Sequence, residues 1–138
     1  MLSDELKDSI REAYGAIMER KSLSPRWGQR QMIAEIANTL SHIPPLGETG
    51  DGQSSVCVIE AGTGTGKTIA YAVAAIPLAQ ARGKRLVVAT ATIALQEQFV
   101  NKDLPDIRDS SGLDFSFTLA KGRRRYVCLS KIDRKSVV

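Results

Sequence analysis

No stretch of this sequence is both long and apolar enough to cross a bilayer. The best candidate, Ile69 to Ala81, is too short and is interrupted by Pro77 and Gln80. A membrane-spanning protein is thereby excluded. The opening residues Met1-Leu2-Ser3-Asp4-Glu5 are acidic and lack the basic-then-apolar ramp of a secretory signal, so a cytoplasmic location is expected. Cysteine is scarce. Cys57 and Cys128 are the only two, and their wide separation in a chain without an export signal argues against a disulfide-stapled scaffold.

What the sequence does contain is an ordinary globular balance. It has 138 residues, 43% hydrophobic and 25% charged, enough for one domain that buries on the order of two thirds of its unfolded surface. The net charge of +4 is unevenly spread. Between Lys121 and Lys135 seven basic residues (Lys121, Arg123, Arg124, Arg125, Lys131, Arg134, Lys135) face Asp133 alone, and the rest of the chain is slightly acidic. Such a local cluster suits a polyanion such as nucleic acid, with a solvated tail as the bland alternative.

Hydrophobic spacing then sets out the elements. Leu6, Ile10, Ala13, Tyr14 and Ile17 recur at three- and four-residue steps, which predicts a helix from Ser3 to about Arg20, its start favoured by Asp4 and Glu5. Ser24-Pro25 reads as the cap and first turn of a second helix carrying Met32, Ile33, Ile36, Ala37 and Leu40. From His42 to Gln53, prolines and glycines predict a loop. Ser55 to Glu60 is a short β-rich run that passes through a glycine-rich turn into a helix from Lys67 to about Arg82. Arg85 to Thr90 reads as a second strand, followed by a helix through Leu95 and Phe99 that stops near Pro105, and Phe115 to Ala120 as a third strand. Strands separated by helices imply an α/β fold, a parallel sheet covered on both faces and preceded by two helices.

The strongest chemical signal is Ala61-Gly62-Thr63-Gly64-Thr65-Gly66-Lys67-Thr68, a phosphate-binding loop with alanine at its first position. Glycines let successive backbone N–H groups turn inward around a polyphosphate, and the helix that follows presents its positive end to the same anion. Lys67 would reach the β and γ phosphates, and the Thr68 hydroxyl would ligate Mg²⁺. A glycine-rich linker would look similar, but an apolar run precedes this loop and a long helix follows it.

The loop alone does not separate kinases, GTPases, transporters and helicases; its neighbours do. Pro25-Arg26-Trp27-Gly28-Gln29-Arg30-Gln31-Met32 places an amide where it could read an adenine edge, being both donor and acceptor. Thr90-Ala91-Thr92-Ile93-Ala94-Leu95-Gln96-Glu97-Gln98 places small hydroxyls and helix-start N–H groups where a nucleic-acid phosphate could be held. A helix cap is the competing and compatible account of Thr92. With Lys102-Asp103-Leu104-Pro105 and Leu119-Ala120-Lys121-Gly122-Arg123-Arg124-Arg125-Tyr126-Val127-Cys128, these blocks resemble the DinG-type helicases, in the superfamily 2 group that also contains XPD.

The resemblance implies an N-terminal helix over 1–24, the first part of a RecA-like P-loop NTPase motor domain over 25–120, and the start of an iron-sulfur region over 121–138. It implies an adenine contact for Gln29, and a phosphate and metal site for ATP and Mg²⁺ formed by Ala61, Gly62, Thr63, Gly64, Thr65, Gly66, Lys67 and Thr68. Thr90, Thr92 and Arg123 would contact single-stranded DNA, and Cys128 would be the first ligand of a [4Fe-4S] cluster, whereas Cys57 reads as a small core residue. Family members are ATP-dependent helicases that translocate 5′ to 3′ on single strands in DNA repair, and a monomer is expected at full length.

An Asp-Glu-Ala-His box and a second motor domain, which supply the hydrolytic acids and arginines, do not occur in this sequence. The chain is therefore expected to be an N-terminal fragment unable to hydrolyse ATP alone, of marginal stability and with apolar surface exposed. Two alternatives are a nucleotide-binding chain without motor activity and a non-helicase P-loop ATPase whose basic cluster binds an acidic protein.

Overall fold

The computed structural model describes residues 2–49 and 55–128. Its longest elements are three helices, α1 (Asp4–Arg20), α2 (Trp27–Leu40) and α3 (Lys67–Ala81). Helix α4 (Ile93–Gln98) runs through a π-helical turn (Phe99–Asp103) into α5 (Leu104–Ser111), and a single 3-10 turn follows at Arg123–Arg125.

Helix α3 is apolar nearly all round, with Ala70 and every residue from Ala72 to Leu78 buried, and that composition fits only a central position. Helices α1 and α2 pack against it, and α5 packs against α1. Ile10, Ala13, Tyr14 and Ile17 of α1 meet Met32, Ile33 and Ala37 of α2 and Ile107 of α5 in one core, so the apolar spacing identifies the buried faces of both N-terminal helices. At the start of α1 the Ser3 hydroxyl accepts the Leu6 N–H, and Asp4 and Glu5 occupy the first turn. Lys21 and Arg20, at the other end, bind the Asp106 carboxylate and the Asp109 carbonyl of α5.

Helix α2 begins two residues later than Ser24-Pro25 predicts. The Arg26 carbonyl accepts the first helical bond from Arg30, and the Arg26 N–H is taken by the Tyr14 hydroxyl, so Arg26 is the cap residue. Pro105 does not end its helix either. A proline lacks the N–H an α-helix interior requires, and the widened turn at Phe99–Asp103 places Pro105 in the first turn of α5, where that donor has no helical partner anyway. Gly112, at φ 75°, closes α5 in the left-handed conformation.

The parallel sheet is not formed among the described residues. The segments 55–60, 85–90 and 115–120 carry no strand hydrogen bonds there. A helix satisfies its backbone internally, whereas a strand needs a neighbouring strand, and among the described residues none of the three runs pairs with another. Val58 is accordingly 90% exposed and Val87 86%. Phe115 to Ala120 nevertheless alternates half-buried and exposed residues, the two-residue period of a strand. The loop after α2 is irregular from His42 to Thr49 as expected, and its remainder lies outside the described residues. Among the described residues no helix is long and apolar enough to cross a membrane.

Candidate nucleotide site

The phosphate loop runs directly into α3, with Gly66 as the helix cap at φ 77° and ψ 35°. Only glycine adopts that left-handed conformation readily, and a Cβ here would also collide with the side-chain amide of Gln29. Lys67 and Thr68 thus form the first turn of α3, where the positive end of the helix dipole lies.

The loop's carbonyls are taken up by side-chain donors. Lys67 Nζ donates to Ala61 O at 2.6 Å and to Gly62 O at 2.8 Å, so its ammonium lies over the loop. The Thr65 hydroxyl also donates to Gly62 O, at 2.9 Å. From the start of α2, the Arg26 guanidinium donates to Gly64 O at 2.6 Å and Gln29 Nε2 donates to Gly66 O at 3.0 Å. Four of the loop's carbonyls, at 61, 62, 64 and 66, thus have side-chain donors. Thr63 is exposed at the loop's crest.

Gln29 is 5% exposed and engaged at both ends, because its Oε1 accepts the Tyr14 hydroxyl at 2.8 Å while Nε2 holds Gly66. The structure brings Gln29 against the phosphate loop, its amide nitrogen on Gly66 O. Sequence reasoning missed Tyr14, which reads as one more apolar-face residue of α1, and Arg26, which lies in the segment Pro25 to Met32 beside Gln29 but has no role legible there.

Beneath the loop, a cavity of about 380 Å³ is lined by Met32, Ile36, Cys57, Ile59, Lys67, Thr68 and Tyr71. Burial pushes the Tyr71 phenol above its ordinary pKa, Asp103 adds to that, and a hydrogen bond with Thr68 offsets part of it. Cys57 lines this cavity and is exposed, not a core residue, because the run that carries it is not covered by a paired strand.

A second group of residues assembles around α4. The Thr92 hydroxyl accepts the Leu95 N–H at 3.2 Å and caps the helix, and the Thr90 hydroxyl donates to Thr92 O at 3.3 Å. Gln96 Nε2 donates to Ala120 O, and Arg125 donates to Gln96 Oε1 at 2.8 Å and pairs with Glu97. These contacts bring the Arg123–Arg125 turn alongside the helix that Thr92 caps, with Arg123 and Arg124 exposed. Lys131, Arg134 and Lys135 lie outside the described residues.

Cys128 is exposed. Among the described residues no three His, Cys, Asp or Glu side chains are grouped to hold a metal. A [4Fe-4S] cluster requires four thiolates and the sequence has two cysteines, so the residues of this chain do not by themselves fit that group. Lys67 and Thr68, at a helix start behind a glycine loop, do fit a magnesium-bound polyphosphate.

Residues 27–136 match the DEAD/DEAH box helicase family. The chain is 42% identical over 134 residues to an ATP-dependent DNA helicase DinG from Photobacterium profundum, covering 96% of this chain and 18% of the relative. It is 44% identical over 128 residues to proteins of the same name from Escherichia coli K12 and Salmonella typhimurium, covering 92% of this chain and 16% of each.

Proposed function

Because this chain belongs to the DEAD/DEAH box helicase family, we propose that it forms the nucleotide-binding part of a DinG-type ATP-dependent DNA helicase acting in DNA repair. The chain spans 16–18% of the length of the curated relatives it matches, so unwinding and 5′ to 3′ translocation are proposed for the whole protein and nucleotide binding for this chain. Residues 1–24 supply the supporting helix, 25–120 the first part of a RecA-like motor domain, and 121–138 the beginning of an iron-sulfur region whose other ligands lie beyond this sequence. In that fold the runs 55–60, 85–90 and 115–120 are strands of a parallel sheet.

The observation that carries the reading is the loop itself: a left-handed glycine cap crowded by Gln29, carbonyls at 64 and 66 held by Arg26 and Gln29, and Lys67 and Thr68 at the start of a buried helix. Bound Mg²⁺ would neutralise phosphate charge. Lys67 would bind the β and γ phosphates, Thr68 would ligate the metal, and Gln29 would contact adenine with its second Nε2 hydrogen or second Oε1 lone pair, keeping both internal bonds. Thr90, Thr92 and Arg123 would touch the single strand. Calorimetric titration of MgATP into the chain tests the assignment: binding that disappears in Lys67→Ala is expected, and wild-type protein that binds no MgATP would overturn it.

A chain that binds nucleotide without turnover is favoured by one further observation, the lack of an Asp-Glu-Ala-His run in the sequence. ATP hydrolysis by this chain alone, stimulated by single-stranded DNA, would exclude that second reading. Replacing Arg123 and Arg124 by alanine should lower the salt dependence of oligo(dT) binding, by about 0.7 in slope for each phosphate contact removed.

A further inference from the structure

We propose that Tyr14, on a helix outside the phosphate-loop motif, is a positioning residue for that loop. The inference rests on the reading of residues 61–68 as a nucleotide phosphate site. The Tyr14 hydroxyl has one proton, and it donates that proton to Gln29 Oε1 at 2.8 Å, an atom that can only accept. Its lone pairs face the Arg26 backbone N–H at 3.4 Å. One hydroxyl therefore fixes two things at once, the orientation of an amide and the cap residue of α2.

Both reach the loop. A glutamine side chain can present either oxygen or nitrogen to a neighbour, and the two differ only in which partner each finds. With Oε1 committed to Tyr14, Nε2 must face Gly66 O, a carbonyl that needs a donor. Were the amide reversed, two oxygens would oppose each other against the cap of α3. Arg26, held through its backbone by the same hydroxyl, donates from its guanidinium to Gly64 O. Tyr14 is 8% exposed and Gln29 5%, so water does not readily take the place of the hydroxyl. Helix α1 thus determines the shape of a loop about fifty residues further along the chain, with the carbonyls at 64 and 66 as the controlled points.

Both controlled points belong to the phosphate loop, so Tyr14 acts on polyphosphate affinity irrespective of the base. MgATP and magnesium tripolyphosphate are titrated into wild-type chain, Tyr14→Phe, Gln29→Ala, the double variant and Lys67→Ala, with Trp27, the sole tryptophan, as a second reporter. Tyr14→Phe is expected to weaken both ligands by the same factor, about three- to tenfold, the worth of one buried hydrogen bond. In the Gln29→Ala background the same change should have a smaller effect, confined to the Arg26 contact, since the hydroxyl then has no amide to orient. A general loss of packing would instead weaken binding equally in both backgrounds, and that result overturns the proposal. If Tyr14→Phe lowers the melting temperature, amide exchange in folded protein decides: protection should fall at Ala70, whose N–H donates to Gly66 O, while the middle of α1 stays protected. Equal losses in both places would count against the positioning role. Wild-type protein that binds neither ligand removes the nucleotide reading and the role of Tyr14 with it. Wild-type binding that is lost in Lys67→Ala but unchanged in Tyr14→Phe removes the role of Tyr14 alone.

Discussion

The amide nitrogen of Gln29 donates to the carbonyl of Gly66 at 3.0 Å, and the same nitrogen occupies the space a Cβ on Gly66 would need. Contact and glycine requirement are two sides of one packing arrangement between α2 and the cap of α3. Gly66→Ala should therefore displace the amide and strain a left-handed residue at a cost of roughly 1–2 kcal/mol, weakening MgATP binding by about tenfold or more. Gly62→Ala is the control, because a Cβ there meets nothing within 4 Å and the residue does not have positive φ. Equal affinities for the two alanine variants in calorimetry would show that the crowding at Gly66 does not matter.

Thr92 caps α4 through its hydroxyl and is also proposed to touch a DNA phosphate, and substitutions separate the two roles. Thr92→Ala should lose about 1 kcal/mol in chemical denaturation, while Thr92→Ser retains the cap. Thr92→Asp also caps well but brings a negative charge, so it should keep wild-type stability and bind oligo(dT) more weakly. If the aspartate variant binds oligo(dT) as well as wild type does, Thr92 is a cap only.

The raised pKa of Tyr71 has a definite sign. Burial penalises the phenolate in the folded chain, so the contribution of Tyr71 to stability is fully present below the ordinary tyrosine pKa and is lost as pH rises through the higher folded value. Ultraviolet titration should show a tyrosine component ionising above the ordinary range, and Tyr71→Phe should remove that late step. A late component that survives Tyr71→Phe would place the perturbed phenol elsewhere.

Burial divides the apolar residues into two groups with different consequences. Ile17 is 0% exposed at the junction of α1 with the core, so Ile17→Ala should destabilise by about 2–5 kcal/mol. Val58→Asp, at a site 90% exposed, should change stability by no more than about 0.5 kcal/mol and reduce binding of a hydrophobic dye. Loss of cooperative melting in Val58→Asp would mean that the run 55–60 is paired in solution.

Where local chemistry dictates structure, the sequence was legible. The spacing of Ile10, Ala13, Tyr14 and Ile17 marks the buried face of α1, and Gly66-Lys67-Thr68 marks both the phosphate loop and the start of α3. Each of these signals lies within a few residues of what it specifies. The start of α2 was misplaced for a non-local reason: the Tyr14 hydroxyl, on another helix, takes the Arg26 N–H. Pro105 was misread as a stop because nothing in the residues before it announces the widened turn that lets α5 begin there.

The sequence by itself determined the three long helices, the phosphate loop and membership of a helicase family, because helix periodicity and loop chemistry are written in short, contiguous patterns. Tertiary structure alone decided that Tyr14 orients Gln29, that Arg26 and Gln29 hold the loop's carbonyls, and that Cys57 lines a cavity instead of entering the core. Those facts depend on which distant atoms meet. A hydroxyl on α1, an amide on α2 and a carbonyl at the cap of α3 come together only once the helices have packed, and no pattern along the chain records their distance.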